Sequence, residues 1–304
     1  VLGFARHDSF TSQKDHAMPE IKSLANETSQ TLYDAFMAAF ADYSVPITWS
    51  KADFDESNAR RGLDLSISLG AYDGGRLVGF IMNGRGSWDG LPAAYDLGTG
   101  VLPEARGSGL SGALAARLVD FLAERGLRRY VLEVIRDNAP AYKTYVKAGF
   151  HVTRLLECPE GNHSDPGKPM PAGLGIVDLP GGTAFPRHEV AAFRDWQPTW
   201  QNSDDSILRT PGALVILGAV LDGRLVGHCV AGTKGTIWQL AVDRAFRRQG
   251  IGSALLREVA ARTGPALRYI NVQADDAATL GLLFRCGLGP GVGQYEMARE
   301  LGGS

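Results

Sequence analysis

The chain is written twice. Asp73-Gly74-Gly75-Arg76-Leu77-Val78-Gly79-Phe80 returns as Asp222-Gly223-Arg224-Leu225-Val226-Gly227-His228. Val101-Leu102-Pro103-Glu104-Ala105-Arg106-Gly107-Ser108-Gly109 aligns with the run from Val242 to Gly250 without a gap, and Gly149-Phe150 aligns with Gly287-Leu288. The elements follow in the same order both times. A repeat unit this long is a domain rather than a solenoid module. At 304 residues, two domains are natural, each long enough for its own core. The expected division is 18–158 and 174–304. Residues 159–173, rich in Pro, Gly, Asn, Asp and Ser, form the linker. Residues 1–17 lack the basic start and apolar core of a signal peptide, and are expected to be a tag-derived or unstructured extension.

Within the second copy, Ile237-Trp238-Gln239-Leu240-Ala241-Val242 reads as a strand, and residues 253–261 read as a helix. Between them lies Arg247-Arg248-Gln249-Gly250-Ile251-Gly252. At such a turn, backbone N–H groups lie free at the positive end of a helix dipole and favour a phosphate. Gly250 and Gly252 allow close approach, and Arg247 and Arg248 add charge suited to phosphate oxygens. The plainer reading is a strand-to-helix turn with glycines for tight packing. The first copy repeats the arrangement at Arg106-Gly107-Ser108-Gly109-Leu110-Ser111, which favours the phosphate reading.

With its R-x-x-G-x-G/A loop, the repeated unit resembles the GNAT superfamily of N-acetyltransferases over about residues 19–158 and about 174–300. The second loop fits the family pattern throughout; the first has Ser111 where Gly or Ala is preferred. The run from Asn138 to Phe150 matches the family's N-x-x-A-x-x-x-Y-x-x-x-G-F. The resemblance implies an α/β fold, a mixed sheet with flanking helices and two splayed central strands, present as two acyl-CoA N-acyltransferase domains. It implies acetyl-CoA as cofactor. The pyrophosphate would sit on the loops: Arg106, Gly107, Ser108, Gly109, Leu110 and Ser111, or Arg247, Arg248, Gln249, Gly250, Ile251 and Gly252. Pantetheine would bond exposed strand backbone near Val101, or near Leu240 and Val242, as an added strand does.

The implied reaction is direct attack of a small-molecule primary amine on the thioester. It needs a base, a polarised carbonyl and a proton for the thiolate. Tyr145 falls at the family's acid position. Its alternative is a buried tyrosine with a structural hydrogen bond. Asn138 matches the cofactor-contacting Asn, and equally suits a helix N-cap. Asp96 and Glu133, on neighbouring strands, are the candidate bases, and a backbone N–H near Gly100 or Val101 would polarise the carbonyl. In the second copy Leu283 stands at the place of Tyr145 and Asp276 at that of Asn138, and residues 236–242 hold no carboxylate. Tyr295 is a possible substitute. Catalysis is therefore expected in the first copy. The rivals are catalysis in the second copy and a non-catalytic acyl-CoA sensor.

Other segments carry weaker expectations. Helices are expected over 28–43 and 51–61, with Phe40, Tyr43 and Trp49 either lining an acceptor pocket or packing on the sheet. Residues 84–92 read as a loop overhanging the acceptor, and 186–196 as a helix. The cluster Trp196 to Asn202 suits either an acceptor surface or a contact between copies. A formal net charge of −2 argues against a nucleic-acid-binding surface, and no apolar run is long enough to span a bilayer. Three widely spaced cysteines suggest reduced thiols in a cytoplasm. The metal set is expected to be empty, and the assembly a monomer or homodimer.

Overall fold

The computed structural model describes residues 18–42, 48–210, 212 and 214–302. The expected extension 1–17 lies outside them, as do Tyr43 and the expected helix break at 44–47.

The first half opens with β1 (Glu20–Ser23), then α1 (Ser29–Ala39) and α2 (Lys51–Arg61). Leu32, Ala35, Phe36 and Ala39 form the buried face of α1. A reciprocal capping box, Ser50 with Asp53, starts α2, and left-handed Gly62 at φ 80° ends it. Next come β2 (Leu69–Asp73), β3 (Arg76–Trp88), β4 (Leu91–Val101) and α3 (Leu110–Ala123). Then β5 (Arg129–Ile135), α4 (Ala139–Lys147) and β6 (His151–Asn162) follow. The stretch 84–92, expected as a loop, is hairpin instead. β3 and β4 pair through Trp88 and Leu91, and Asp89 and Gly90 turn the chain at φ 48° and 76°. Trp88 is buried, so this segment packs into the molecule rather than overhanging a site.

The second half runs β7 (Gly175–Asp178), α5 (Arg187–Ala191), α6 (Asp204–Arg209), β8 (Leu214–Leu221), β9 (Arg224–Gly232), β10 (Thr236–Val242) and α7 (Ile251–Thr263). It closes with β11 (Ala266–Tyr269), β12 (Val272–Gln273), α8 (Ala277–Arg285) and β13 (Gly289–Glu300). The helix expected over 186–196 covers only the five residues of α5. The strand expected over 267–273 is broken by Asn271 at φ 62°.

Among the described residues, thirteen strands form one mixed sheet. Its central feature is a splay that occurs twice. β4 and β5 pair in parallel only from Ala93–Tyr95 against Arg129–Val131, and β10 and β11 only from Thr236–Ile237 against Arg268–Tyr269. Beyond those points β4 and β10 continue with one edge unpaired. The halves also exchange strands. β13, from the second half, lies between β5 and β6, and β6 runs on through residue 158 to pair with β11 and β12. The expected linker thus begins inside a strand.

Two apolar clusters belong to each half. Trp200, from the second half, is buried in a first-half cluster. It stacks on Tyr95 at 5.3 Å, and its indole N–H donates to the Arg61 carbonyl at 2.9 Å. This resolves the aromatic stretch at 196–202 as a contact between the halves at Trp200.

Candidate functional site

The two loops share one backbone shape. Of the described helices with eight or more residues, α1, α2, α4 and α8 start on side-chain caps from Thr28, Ser50, Asn138 and Asp276. By contrast, α3 and α7 start on Gly109 and Gly250, at φ 81° and 87°, without a side-chain cap. Their first-turn N–H groups are therefore left for an incoming anion. Gly107 at φ 77° and Arg248 at φ 66° make the same left-handed turn before them.

The arginines that open the motifs face inward. Arg106 donates to the Val101 carbonyl, to the Ala39 carbonyl at 2.8 Å and to Asp42 at 2.6 and 3.0 Å. Arg247 repeats this with the Val242 and Phe193 carbonyls and with Asp195 at 2.6 Å. These bonds hold the Asp42 and Asp195 carboxyls below the usual carboxylate range. Both guanidiniums tie the loop to the segment before the sheet, so the loop backbone is what a phosphate would meet.

Surroundings separate the loops. A Cβ at Gly107 or Gly109 would meet nothing within 4 Å. At Gly250 it would stand 2.6 Å from the Pro169 carbonyl oxygen, and Lys168 donates its ammonium to the Arg248 carbonyl. Residues of the expected linker cross the second loop.

In the first half, a groove of about 540 Å³ leads away from the loop between Phe40, Thr99, Val101, Ser111, Asn138 and Pro140. The Leu102 N–H donates to Val78 across the hairpin at 2.9 Å. Alternation then turns the N–H groups of Val101 and Thr99 toward the unpaired edge of β4. Asn138 caps α4 by accepting from the Ala141 N–H at 3.2 Å, while also lining the groove.

Asp96 and Glu133 lie where the strands part. The hydroxyl of Tyr145, brought by α4, donates to Asp96 Oδ2 at 3.4 Å, a long bond. Asp96 also accepts from the Gly98 N–H at 2.8 Å and the Thr99 hydroxyl at 3.0 Å. Burial raises its pKa to about 6, against the pull of those bonds. Glu133 accepts from the Tyr95 hydroxyl. Burial, aided by neighbouring Glu296, raises it to about 8. The buried guanidinium of Arg61, donating to the Leu97 carbonyl, sits in the field of both acids. The structure thus brings Tyr145, Asp96 and Glu133 together at one splay.

The second half differs. Leu283 is fully buried in the apolar core. Tyr295, the possible substitute acid, lies in the first half: β13 pairs it with Val134, and its ring meets Tyr142 at 5.1 Å. Strand exchange removed it from the second site. A cavity of about 440 Å³ runs from the loop residues Gly250 and Gly252, past Leu240, to Arg194, His228 and Gln239. The Leu240 N–H donates to the Tyr269 hydroxyl at 3.2 Å. Sequence reasoning missed these polar residues. Their one visible sign is a break in pattern: His228 stands where the first copy has Phe80, and Gln239 interrupts an apolar strand.

No metal-holding group of His, Cys, Asp or Glu occurs among the described residues, and no helix among them is long and apolar enough to cross a membrane.

Comparison with known proteins adds a family. The model of the acetyltransferase (GNAT) family matches residues 29–150 and again 179–288. A mycothiol acetyltransferase of Arthrobacter sp. is 30% identical over 145 residues, 45% of this chain and 44% of that protein. Another, from Pseudarthrobacter chlorophenolicus, is 33% identical over 143 residues, 44% of each chain. The match therefore spans less than half the length of these curated relatives. A tandem GNAT protein from the clavulanic acid biosynthesis pathway superposes with a TM-score of 0.69 at 19% identity, over 94% of this chain and 100% of that one. At that identity the likeness speaks for the fold.

Proposed function

Because the chain belongs to the acetyltransferase (GNAT) family, we propose that its first half transfers an acetyl group from acetyl-CoA to a primary amine of a small molecule. The observation that carries this reading is the Tyr145–Asp96 contact where β4 leaves β5, on the same strand whose Thr99 and Val101 line an open groove that begins on an uncapped helix. The first half fits the cofactor. The space over Gly107 and Gly109 is clear, the first-turn N–H groups of α3 lack a side-chain cap, and the β4 edge offers backbone donors.

Acetyl-CoA supplies a thioester, whose carbonyl carbon bonds to the amine nitrogen as the C–S bond breaks. Asp96 takes the amine proton at Oδ2. Tyr145 gives its hydroxyl proton to the departing sulfur. Asp96 then returns a proton to the Tyr145 oxygen along the hydrogen bond already present. The relay carries one proton from nitrogen to sulfur and leaves both side chains as they began. The Val101 and Thr99 N–H groups are the donors available to a carbonyl oxygen. Glu133, held protonated near neutrality, accepts from the Tyr95 hydroxyl and leaves Asp96 as the more readily ionised acid of the two.

The second half, on this reading, binds a CoA thioester without turnover. It contributes β13 and Trp200 to the first half. The relatives named mycothiol acetyltransferase support a small-molecule acceptor as the class.

The test is single-turnover acetylation of a panel of small amines by the full chain and by Asp96→Asn and Tyr145→Phe. Both substitutions are expected to reduce the chemical step about 10²–10⁴-fold while acetyl-CoA affinity stays near normal. Unchanged turnover in Tyr145→Phe would remove the assignment.

A further inference from the structure

The helix that carries Tyr145 has a shallow seat in its own half. No residue of α4 is buried; Ala141, Tyr142, Tyr145 and Ala148 lean on the core partly exposed. Tyr145 meets the Phe150 ring at 5.6 Å and reaches Asp96 through a bond of 3.4 Å. A hydrogen bond that long strengthens or fails with a small movement of the helix. Whatever fixes α4 therefore fixes the proton path of the first site.

Two side chains of the exchanged strand do so. β13 runs along β5 from Gln294 to Glu300 in one unbroken register. Alternation puts Tyr295, Met297 and Arg299 on the face that α4 covers, beside Val134, Leu132 and Tyr130. The Tyr295 ring lies 5.1 Å from that of Tyr142, one turn before Tyr145. One turn after Tyr145, the Arg299 guanidinium donates to the carbonyl of Ala148, the C-cap of α4. The last carbonyls of a helix lack partners inside it and carry the negative end of its dipole, so a guanidinium suits them in both respects.

The second half seats its helix differently. α8 buries Leu283 and packs Leu282 against Gly252. With Gly287 aligned on Gly149, an equal count along the chain puts Gly161 of β6 at the place of Arg299. A Cβ on Gly161 would stand 2.4 Å from the Gly287 carbonyl oxygen, so backbone packs there and no side chain reaches across. The long cation stands beside the helix that bears the tyrosine, and glycine beside the helix that bears Leu283.

We propose that Tyr295 and Arg299, supplied by the second half, are positioning residues for Tyr145: they set the seat of α4 and so the reach of the Tyr145 hydroxyl to Asp96. This rests on the reading that Tyr145 and Asp96 carry the first half's chemistry. Both side chains act through the helix rather than on the reacting atoms. The second half then takes part in turnover without any ligand of its own.

The test is single-turnover acetylation by the full chain carrying Tyr295→Leu or Arg299→Gln, each alone and each combined with Tyr145→Phe. Alone, each is expected to slow the chemical step about tenfold, with acetyl-CoA affinity and amine half-saturation near those of wild type. In the Tyr145→Phe background neither should slow it further, because the group through which they act is already gone. Tyr295→Phe keeps the ring contact and Arg299→Lys keeps a cation for the carbonyl, and both should retain most of the rate. Arg299 is only partly buried, so Arg299→Gln decides the matter if Tyr295→Leu fails to fold. Wild-type rates in the single variants, an equal loss with and without the Tyr145 hydroxyl, or a loss seen only in acetyl-CoA affinity would overturn the proposal and leave the reading of Tyr145 standing. A Tyr145→Phe chain that turns over like wild type would instead overturn that reading.

Discussion

The two halves share a loop and differ in what surrounds it. The second loop matches the family pattern fully, yet packing accounts for much of that match. A Cβ on Gly252 would stand 2.6 Å from Leu282 of α8, so this glycine lets two helices approach. In the first half the same place holds Ser111, exposed beside the groove, and α4 has no buried residue. The imperfect loop is the open one. A glycine in a phosphate motif thus reports either a ligand or a neighbour, and only the packing tells which. The side chains divide the same way: Asp96 and Tyr145 meet at the first splay, while Leu283 is core and Tyr269 holds the β10 edge at the second.

The sharpest break in this comparison is kinetic. With the first half as catalyst, Asp96→Asn and Tyr145→Phe should each remove about 10²–10⁴-fold of turnover, and Leu283→Tyr should restore none of it. The pH profile sharpens the choice of base. Asp96 acts when deprotonated, so kcat/KM should rise with pH through about 6. A limb near 8 that vanishes in Glu133→Gln would move the base to Glu133. Stability moves oppositely. Glu133 is raised in the fold from an ordinary 4.5 to about 8, so the folded chain holds a proton that the unfolded chain releases. Its contribution is present at low pH and is lost as pH rises through about 8. Thermal melts of wild type and Glu133→Gln from pH 5 to 9 should diverge accordingly.

Next in size is the junction. Trp200→Ala should cost about 3–5 kcal/mol by denaturant titration, because the ring is buried between Tyr95 and Trp88 and bonds Arg61. A smaller loss, with the first half's activity intact, would mean that the halves fold independently despite the exchanged strands.

The sequence carried the repeat and the strand–loop–helix order, and it named Tyr145 and Asp96 separately, because these follow from local pattern and family motif; their contact needs the fold, which brings α4 to β4. It did not carry the exchange of β6 and β13. Each strand has the alternation its own half requires, and nothing local says which neighbour it pairs with. That is why Tyr295 reads as a second-half residue and lies in the first. The stretch 84–92 misled for a related reason. Its glycines suggest a loop, but Gly84 and Gly86 are strand positions where a Cβ would stand 2.4 Å from the Arg61 carbonyl oxygen and 2.8 Å from the Trp200 ring, respectively. Those partners come from elsewhere in the chain. The polar wall of Arg194, Gln239 and His228 was hidden likewise, being assembled from three separated segments.

Exchanging loop residues tests the packing account directly. Gly252→Ser should destabilise the chain by about 1–3 kcal/mol, since the new side chain meets Leu282. The opposite exchange, Ser111→Gly, should be nearly silent in melts apart from the small helix-propensity cost of glycine. If Gly252→Ser melts as wild type and loses CoA-ester binding instead, the glycine serves the ligand rather than the neighbouring helix.

The smallest expected effect concerns the arginines. Read as sequence, Arg106 and Arg247 are phosphate partners, and replacing either should cripple binding. In the fold each donates to two backbone carbonyls and one aspartate, with the same geometry in both halves. Those bonds exist before any ligand arrives, so they cannot be new stabilisation at the moment of binding. Arg106→Gln should lower the melting temperature slightly by loosening α1 from the loop. It should change acetyl-CoA affinity less than about threefold, within what exposed ion pairs contribute. Arg247→Gln should behave alike at the second loop. A large loss of affinity at Arg106 with no loss at Arg247 would show that the guanidinium lets go of Asp42 to meet the cofactor, and that the shared geometry belongs to the resting protein alone.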